Sequence, residues 1–143
     1  MNNRIKFRVY CSTTKSFSDQ PWLSPDGLEL MWCHTGSEAS FTDIRFDTYR
    51  IQQFTGVTDK NGNEIYEGDI LLSSRKVARW FGSGTNFVVA WNHYLCNYAL
   101  IPTYFYSESD ESNQISNNAD LTVPKGKYMS VIGNICENPE LLK

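Results

Sequence analysis

No run of apolar side chains in this sequence approaches the ~20 that a membrane helix needs, which argues against a helical span. The opening Met1-Asn2-Asn3-Arg4-Ile5-Lys6 lacks the apolar stretch of a secretory signal, so the expectation is a soluble, cytoplasmic protein. Cysteine is sparse. Cys11, Cys33, Cys96 and Cys136 form no C-x-x-C pair and read as reduced thiols serving as small apolar residues. Basic residues are few as well: 13 Lys and Arg against 16 Asp and Glu leave a net charge of −3. The stretch 101–143 is the most acidic, which disfavours a sequence-independent nucleic-acid coat, because neutralising phosphates takes clustered cations. G-x-S-x-G, H-E-x-x-H and Walker patterns are missing too, and Gly82-Ser83-Gly84 lacks the following Lys and helix of a phosphate cradle. What the chain does have is aromatic side chains: 4 Trp, 8 Tyr and 8 Phe, 14% of its 143 residues. With 41% apolar residues in all, it can build a core of its own.

Period-two alternation dominates. Ile5, Phe7 and Val9 alternate with Lys6, Arg8 and Tyr10, as a half-buried strand requires. Ser12 to Gly27 is turn-prone, Leu28 to Trp32 reads as a short strand, and Phe41 to Phe46 alternates again. Tyr49 to Thr55 continues in the same way, although a short helix between Asp43 and Gln53 stays open. In Val57 to Tyr66, Asp59 is placed to bond turn amides, and Asn61-Gly62 offers two residues tolerant of positive φ for a tight hairpin. A second reversal at Glu67-Gly68-Asp69 leads into Ile70-Leu71-Leu72, and two strands joined by so short a corner pack orthogonally or around a barrel. Further strands are expected at Lys76–Phe81, Phe87–Trp91, Tyr98–Ile101 and Tyr128–Asn134. Ser107–Asp120 has two apolar side chains, Ile115 and Ala119, in fourteen residues and reads as a mobile loop. Asn138 is placed to cap a helical turn begun by Pro139.

Three segments together resemble the YopX family of phage and prophage proteins. The longest is Phe54-Thr55-Gly56-Val57-Thr58-Asp59-Lys60-Asn61-Gly62-Asn63-Glu64-Ile65-Tyr66-Glu67-Gly68-Asp69-Ile70. The opening Ile5–Tyr10 and the closing Val131-Ile132-Gly133-Asn134-Ile135-Cys136-Glu137-Asn138-Pro139-Glu140-Leu141-Leu142 are similar to the family's two ends, with Cys136 where an aromatic is common. The resemblance implies a small, largely β protein of the bacterial host cytoplasm, with a compact barrel in its C-terminal half. It brings no established catalytic or ligand-binding residue.

Each candidate for chemistry has a plainer competing explanation. Glu64, Glu67 and Asp69 could be paired carboxylates for acid–base work, but at a corner they are placed to accept backbone amides or stay solvated. Cys33-His34 and His93-x-x-Cys96 offer zinc-ligand types, yet neighbours on a strand point to opposite faces and no C-x-x-C knuckle is present. Arg75, Lys76 and Arg79 beside Trp80 and Phe81 mix cations with rings as single-strand binders do, while an edge strand with a basic solvent face is the simpler and favoured explanation. Trp22, Trp32, Tyr94, Tyr104 and Tyr106 are candidate exposed anchors, because a barrel this small cannot readily hide twenty rings.

The expectation is therefore a mainly β chain with minor α content. A strand-rich segment, 1–50, leads into a small SH3-like twisted barrel, 51–143, with a loop at 107–120 and a short C-terminal helical turn. Asn61, Gly62, Gly68 and Asp69 are its structural turns, and Ile65, Ile70, Val89, Trp91, Val131 and Ile132 its core. No catalytic, cofactor or metal residue is expected. The expected role is that of a non-enzymatic phage-derived accessory protein that self-assembles or binds a host or phage protein. The alternative is a single-strand nucleic-acid barrel using Arg75, Lys76, Arg79, Trp80 and Phe81.

Overall fold

The computed structural model describes residues 6–18, 21–23, 29–32, 40–43, 49–75, 81–93, 95–106, 119–120 and 126–142. It is mainly β, as the alternation predicts, and the chain divides into two compact units, Met1–Gln53 and Phe54–Lys143. No helix among the described residues is long and apolar enough to cross a membrane.

In the first unit β1 (Phe7–Cys11) pairs antiparallel with β2 (Ser16–Ser18) on one side. On the other it pairs with the opening residues, Tyr49–Gln53, of β6 (Tyr49–Thr58). Val9, Tyr10 and Cys11 are buried. Gln52 is buried beside them, and its Oε1 accepts two bonds from the Arg8 guanidinium, at 3.0 and 2.9 Å. That guanidinium also lies 4.2 Å from the Phe17 ring centre, so the ladder carries a cation–π contact across β1 and β2. A separate meander joins β3 (Pro21–Leu23), β4 (Glu29–Trp32) and β5 (Ser40–Asp43). The segment Tyr49–Gln53, where a helix stayed open, is strand.

In the second unit Phe54–Thr58 of β6 forms a hairpin with β7 (Glu64–Tyr66). An antiparallel sheet follows, in the order β11 (Ala119–Asp120), β10 (Asn97–Pro102), β9 (Asn86–Asn92), β8 (Asp69–Ser73), β12 (Met129–Asn134). It curls into a half-barrel. Val57 and Ile65 from the hairpin pack with Leu71, Phe81, Phe87, Val89, Leu100 and Met129 as one core, with Phe81 edge-on to Phe87. On the opposite face Ile70, Val88 and Ile101 stand in register across three strands, all buried. Gly133 lies opposite Ile70, and a Cβ built on it would come within 2.9 Å of Leu141 Cδ1, so the C-terminal turn covers this face. Such a sheet is apolar on both faces, and strict alternation fails along it.

That failure accounts for several corrections. Ile65, Ile70 and Val89 are core residues as expected, but Trp91 is 37% and Ile132 38% exposed, and Val131 is only half-buried. Ile132 sits in a register shift between Val131 and Gly133 that turns it outward. Ala119 and Asp120, assigned to a loop, pair with Leu100 and Ala99; 107–118 lie outside the described residues. Of the proposed strand Lys76–Phe81, only Phe81 is described.

Candidate functional site

The polar residues of the long motif converge on two carboxylates. Asp59 is buried, and its Oδ1 accepts the N–H groups of Asn61 and Asn63 at 2.8 and 2.9 Å. Its Oδ2 accepts the Asn63 side-chain amide at 3.2 Å and the Val131 N–H at 3.1 Å. Lys60 N–H donates to the Met129 carbonyl at 3.0 Å, so this turn occupies backbone groups of β12, an edge strand that would otherwise offer them for pairing. Burial disfavours charge on Asp59, but these four donors outweigh it and hold the carboxyl below the ordinary aspartate value. Only Gly62, at φ +86°, adopts the left-handed conformation here, whereas Asn61 does not. The expected pair of positive-φ residues is corrected: Gly62 N–H bonds Asp59 O at 3.1 Å and the Asp59 side chain organises the remainder.

Asp69 is 1% exposed at the second reversal. Its Oδ2 takes the Tyr66 N–H at 2.8 Å and its Oδ1 the Asn134 side-chain amide at 3.0 Å. Gly68, at φ +79°, bonds through N–H to Val89 O and through its carbonyl to the Ile135 N–H. Asn134 Oδ1 accepts the Cys136 N–H at 3.0 Å. Asn138 is also reassigned. Its Oδ1 turns back to the Asn134 N–H at 3.2 Å, and the 3-10 turn Pro139–Leu142 closes through Leu141 N–H to the Asn138 carbonyl instead. Asp59 and Asp69 thus bind backbone and amide donors within the fold, and Glu64 accepts the Tyr66 hydroxyl at 2.8 Å. The three carboxylates read as an acid–base set are not gathered around one point: Asp69 faces Tyr66 and Asn134, while Glu67 faces Trp91 and His93.

The remaining candidates separate. Arg75 is exposed and its guanidinium lies 4.4 Å from the Tyr128 ring centre. Phe81 is 4% exposed within the core and offers no ring face to a base. Lys76, Arg79 and Trp80 lie outside the described residues, as do Cys33, His34, Tyr94 and the side chains of Trp22 and Trp32. His93 and Cys96 share one exposed turn, where the Cys96 thiol donates to the His93 carbonyl at 3.6 Å. Among the described residues no group of three or more His, Cys, Asp or Glu is placed to hold a metal ion.

Two surface features stand apart from this internal network. Tyr104 and Phe105, on the 3-10 turn Thr103–Phe105 that follows β10, are each 61% exposed, and their rings meet at 4.5 Å. Tyr106, also expected as an anchor, is half-buried. Phe105 carried no earlier expectation, although its place after Pro102 and beside Tyr104 was the available signal. At the opposite end of β10, Trp91 and Tyr98 face each other across the ladder, ring centres 5.1 Å apart at 72°. Glu67 is half-buried beside them. Burial pushes its carboxyl above the ordinary value, opposed by the backbone N–H of Trp91 and by His93. Burial and the nearby Glu67 charge push the Tyr98 phenol up to about 12.

A search of curated proteins gives no match. Among solved structures the chain is similar to protein EF1440 from Enterococcus faecalis, seen in a crystal structure. The two share 25% identity and a TM-score of 0.57, with 97% of this chain and 98% of that one covered. The family model described as YopX protein matches residues 6–143, and the chain belongs to the YopX family.

Proposed function

We propose that this is a phage- or prophage-encoded accessory protein that acts by binding protein, either a second copy of itself or a protein of the host or phage, and not by catalysis. The supporting observation is the Tyr104–Phe105 pair, two large rings 61% exposed on a turn. Aromatic side chains dominate interface energetics, and ordering two rings on a tight turn lowers the entropy lost on association. The motif carboxylates Asp59 and Asp69 are occupied by internal donors, which supports a binding role over acid–base chemistry.

The test compares the tagged protein with a Tyr104→Ala/Phe105→Ala variant, in light scattering and in stoichiometric co-purification from the host. The expected result is a species heavier than the 16.4 kDa monomer, or a stoichiometric partner, that the double variant loses. A wild type that is monomeric and partner-free, or a double variant that retains the same company, would contradict the reading.

A further inference from the structure

We propose that Glu67, Trp91 and Tyr98 form a receptor for a single cationic side chain, an arginine or lysine presented by a partner polypeptide. Three side chains meet at this corner. Trp91 and Tyr98 stand opposite each other in the β9–β10 ladder with their rings at 72°, so their faces are not stacked together. Trp91 is 37% exposed and Tyr98 half-buried against the core, which leaves one ring held in place and the other open to solvent. Glu67, half-buried, is the acidic neighbour of this pair. The bond from Gly68 N–H to Val89 O sets Glu67 beside β9, where its carboxylate takes the backbone N–H of Trp91 and its charge acts on the Tyr98 phenol.

Charge complementarity selects the occupant. Besides the imidazole of His93, no cationic side chain among the described residues accompanies the Glu67 carboxylate. A carboxylate partly removed from water gains most from a charged donor, and aromatic faces attract cations through their quadrupole. A guanidinium or ammonium satisfies both requirements, whereas an anionic or purely apolar group satisfies at most one. The corner lies at the start of β10 and the Tyr104–Phe105 turn beyond its end, so this inference does not depend on the face considered above.

The experiment titrates N-acetyl-arginine amide and N-acetyl-lysine amide into isotope-labelled protein and follows the Trp91 indole N–H signal, assigned with Trp91→Phe. N-acetyl-citrulline amide, equal in shape to the arginine probe but neutral, is the control. The expected result is a saturable shift with a cationic probe, none with citrulline, and affinity about tenfold weaker in Glu67→Gln, the size of a lost charge-assisted contact. Glu67→Gln keeps an oxygen to accept the backbone N–H of Trp91. Should it still fail to fold, Trp91→Leu, read at the Tyr98 ring, must show the same loss. No shift at millimolar probe, an equal shift with citrulline, or unchanged affinity in the variants would overturn the proposal.

Discussion

Asp59 shows how one side chain can join distant parts of a chain. Its two oxygens hold the turn 59–63 and the N–H of Val131, 72 positions away. Asp59→Asn keeps one acceptor but turns an amide N–H toward a donor. It should cost about 2–3 kcal/mol at neutral pH, the penalty of a buried donor left unpaired, measured by urea unfolding. The pH dependence follows from the carboxyl being held below its ordinary value. A group of that kind stabilises fully above its unfolded value of about 3.9 and loses the contribution as pH falls through the folded value. The gap between wild type and Asp59→Asn should therefore be constant from about pH 5 to 8 and narrow below about pH 4. Neither the reach to Val131 nor its effect on Asp59 was legible in the sequence, where Asp59 reads as a local turn residue. Spacing along the chain carries no information about a partner 72 residues on.

At the scale of elements, the C-terminal turn is fitted to the sheet through a glycine. A Cβ on Gly133 would stand 2.6 Å from Asn138 Oδ1 and 2.9 Å from Leu141 Cδ1. Asn138 is held by bonds to Asn134 through both its N–H and its Oδ1, so it cannot simply swing away. Gly133→Ala should destabilise by about 1–3 kcal/mol, the range for overpacking. Hydrogen exchange should accelerate in 134–142 more than in β9 or β10; uniform exchange would show that the turn does not depend on that close approach. Most strands were legible, because alternation at Phe7–Val9 and the β-branched run at Val88–Val89 report half-buried or fully buried extended chain directly. The turns at Gly62 and Gly68 were legible for the same reason, since left-handed backbone selects glycine. What period two could not resolve was which apolar residues face out when both sheet faces are covered. Trp91 and Ile132, taken as core, are the residues where this ambiguity mattered.

At the scale of the whole molecule, the carboxylates Asp59 and Asp69 and the exposed rings have separate physical roles. The motif carboxylates hold reversals and a strand edge in place, whereas Tyr104 and Phe105 contribute little buried area to the fold. The rings were partly legible: aromatic excess signalled a surface role, and Tyr104 was among the residues singled out. Tyr106 carried the same signal and is half-buried, because ring count alone does not distinguish core from surface.

Thermal unfolding of wild type, Asp59→Asn and Tyr104→Ala/Phe105→Ala in dilute solution, where association contributes little, measures this division most directly. The expected result is a Tm lowered by about 7–10 °C in Asp59→Asn and shifted by no more than about 2 °C in the double variant. A double variant that melts as early as Asp59→Asn, or an Asp59→Asn that melts with the wild type, would contradict it.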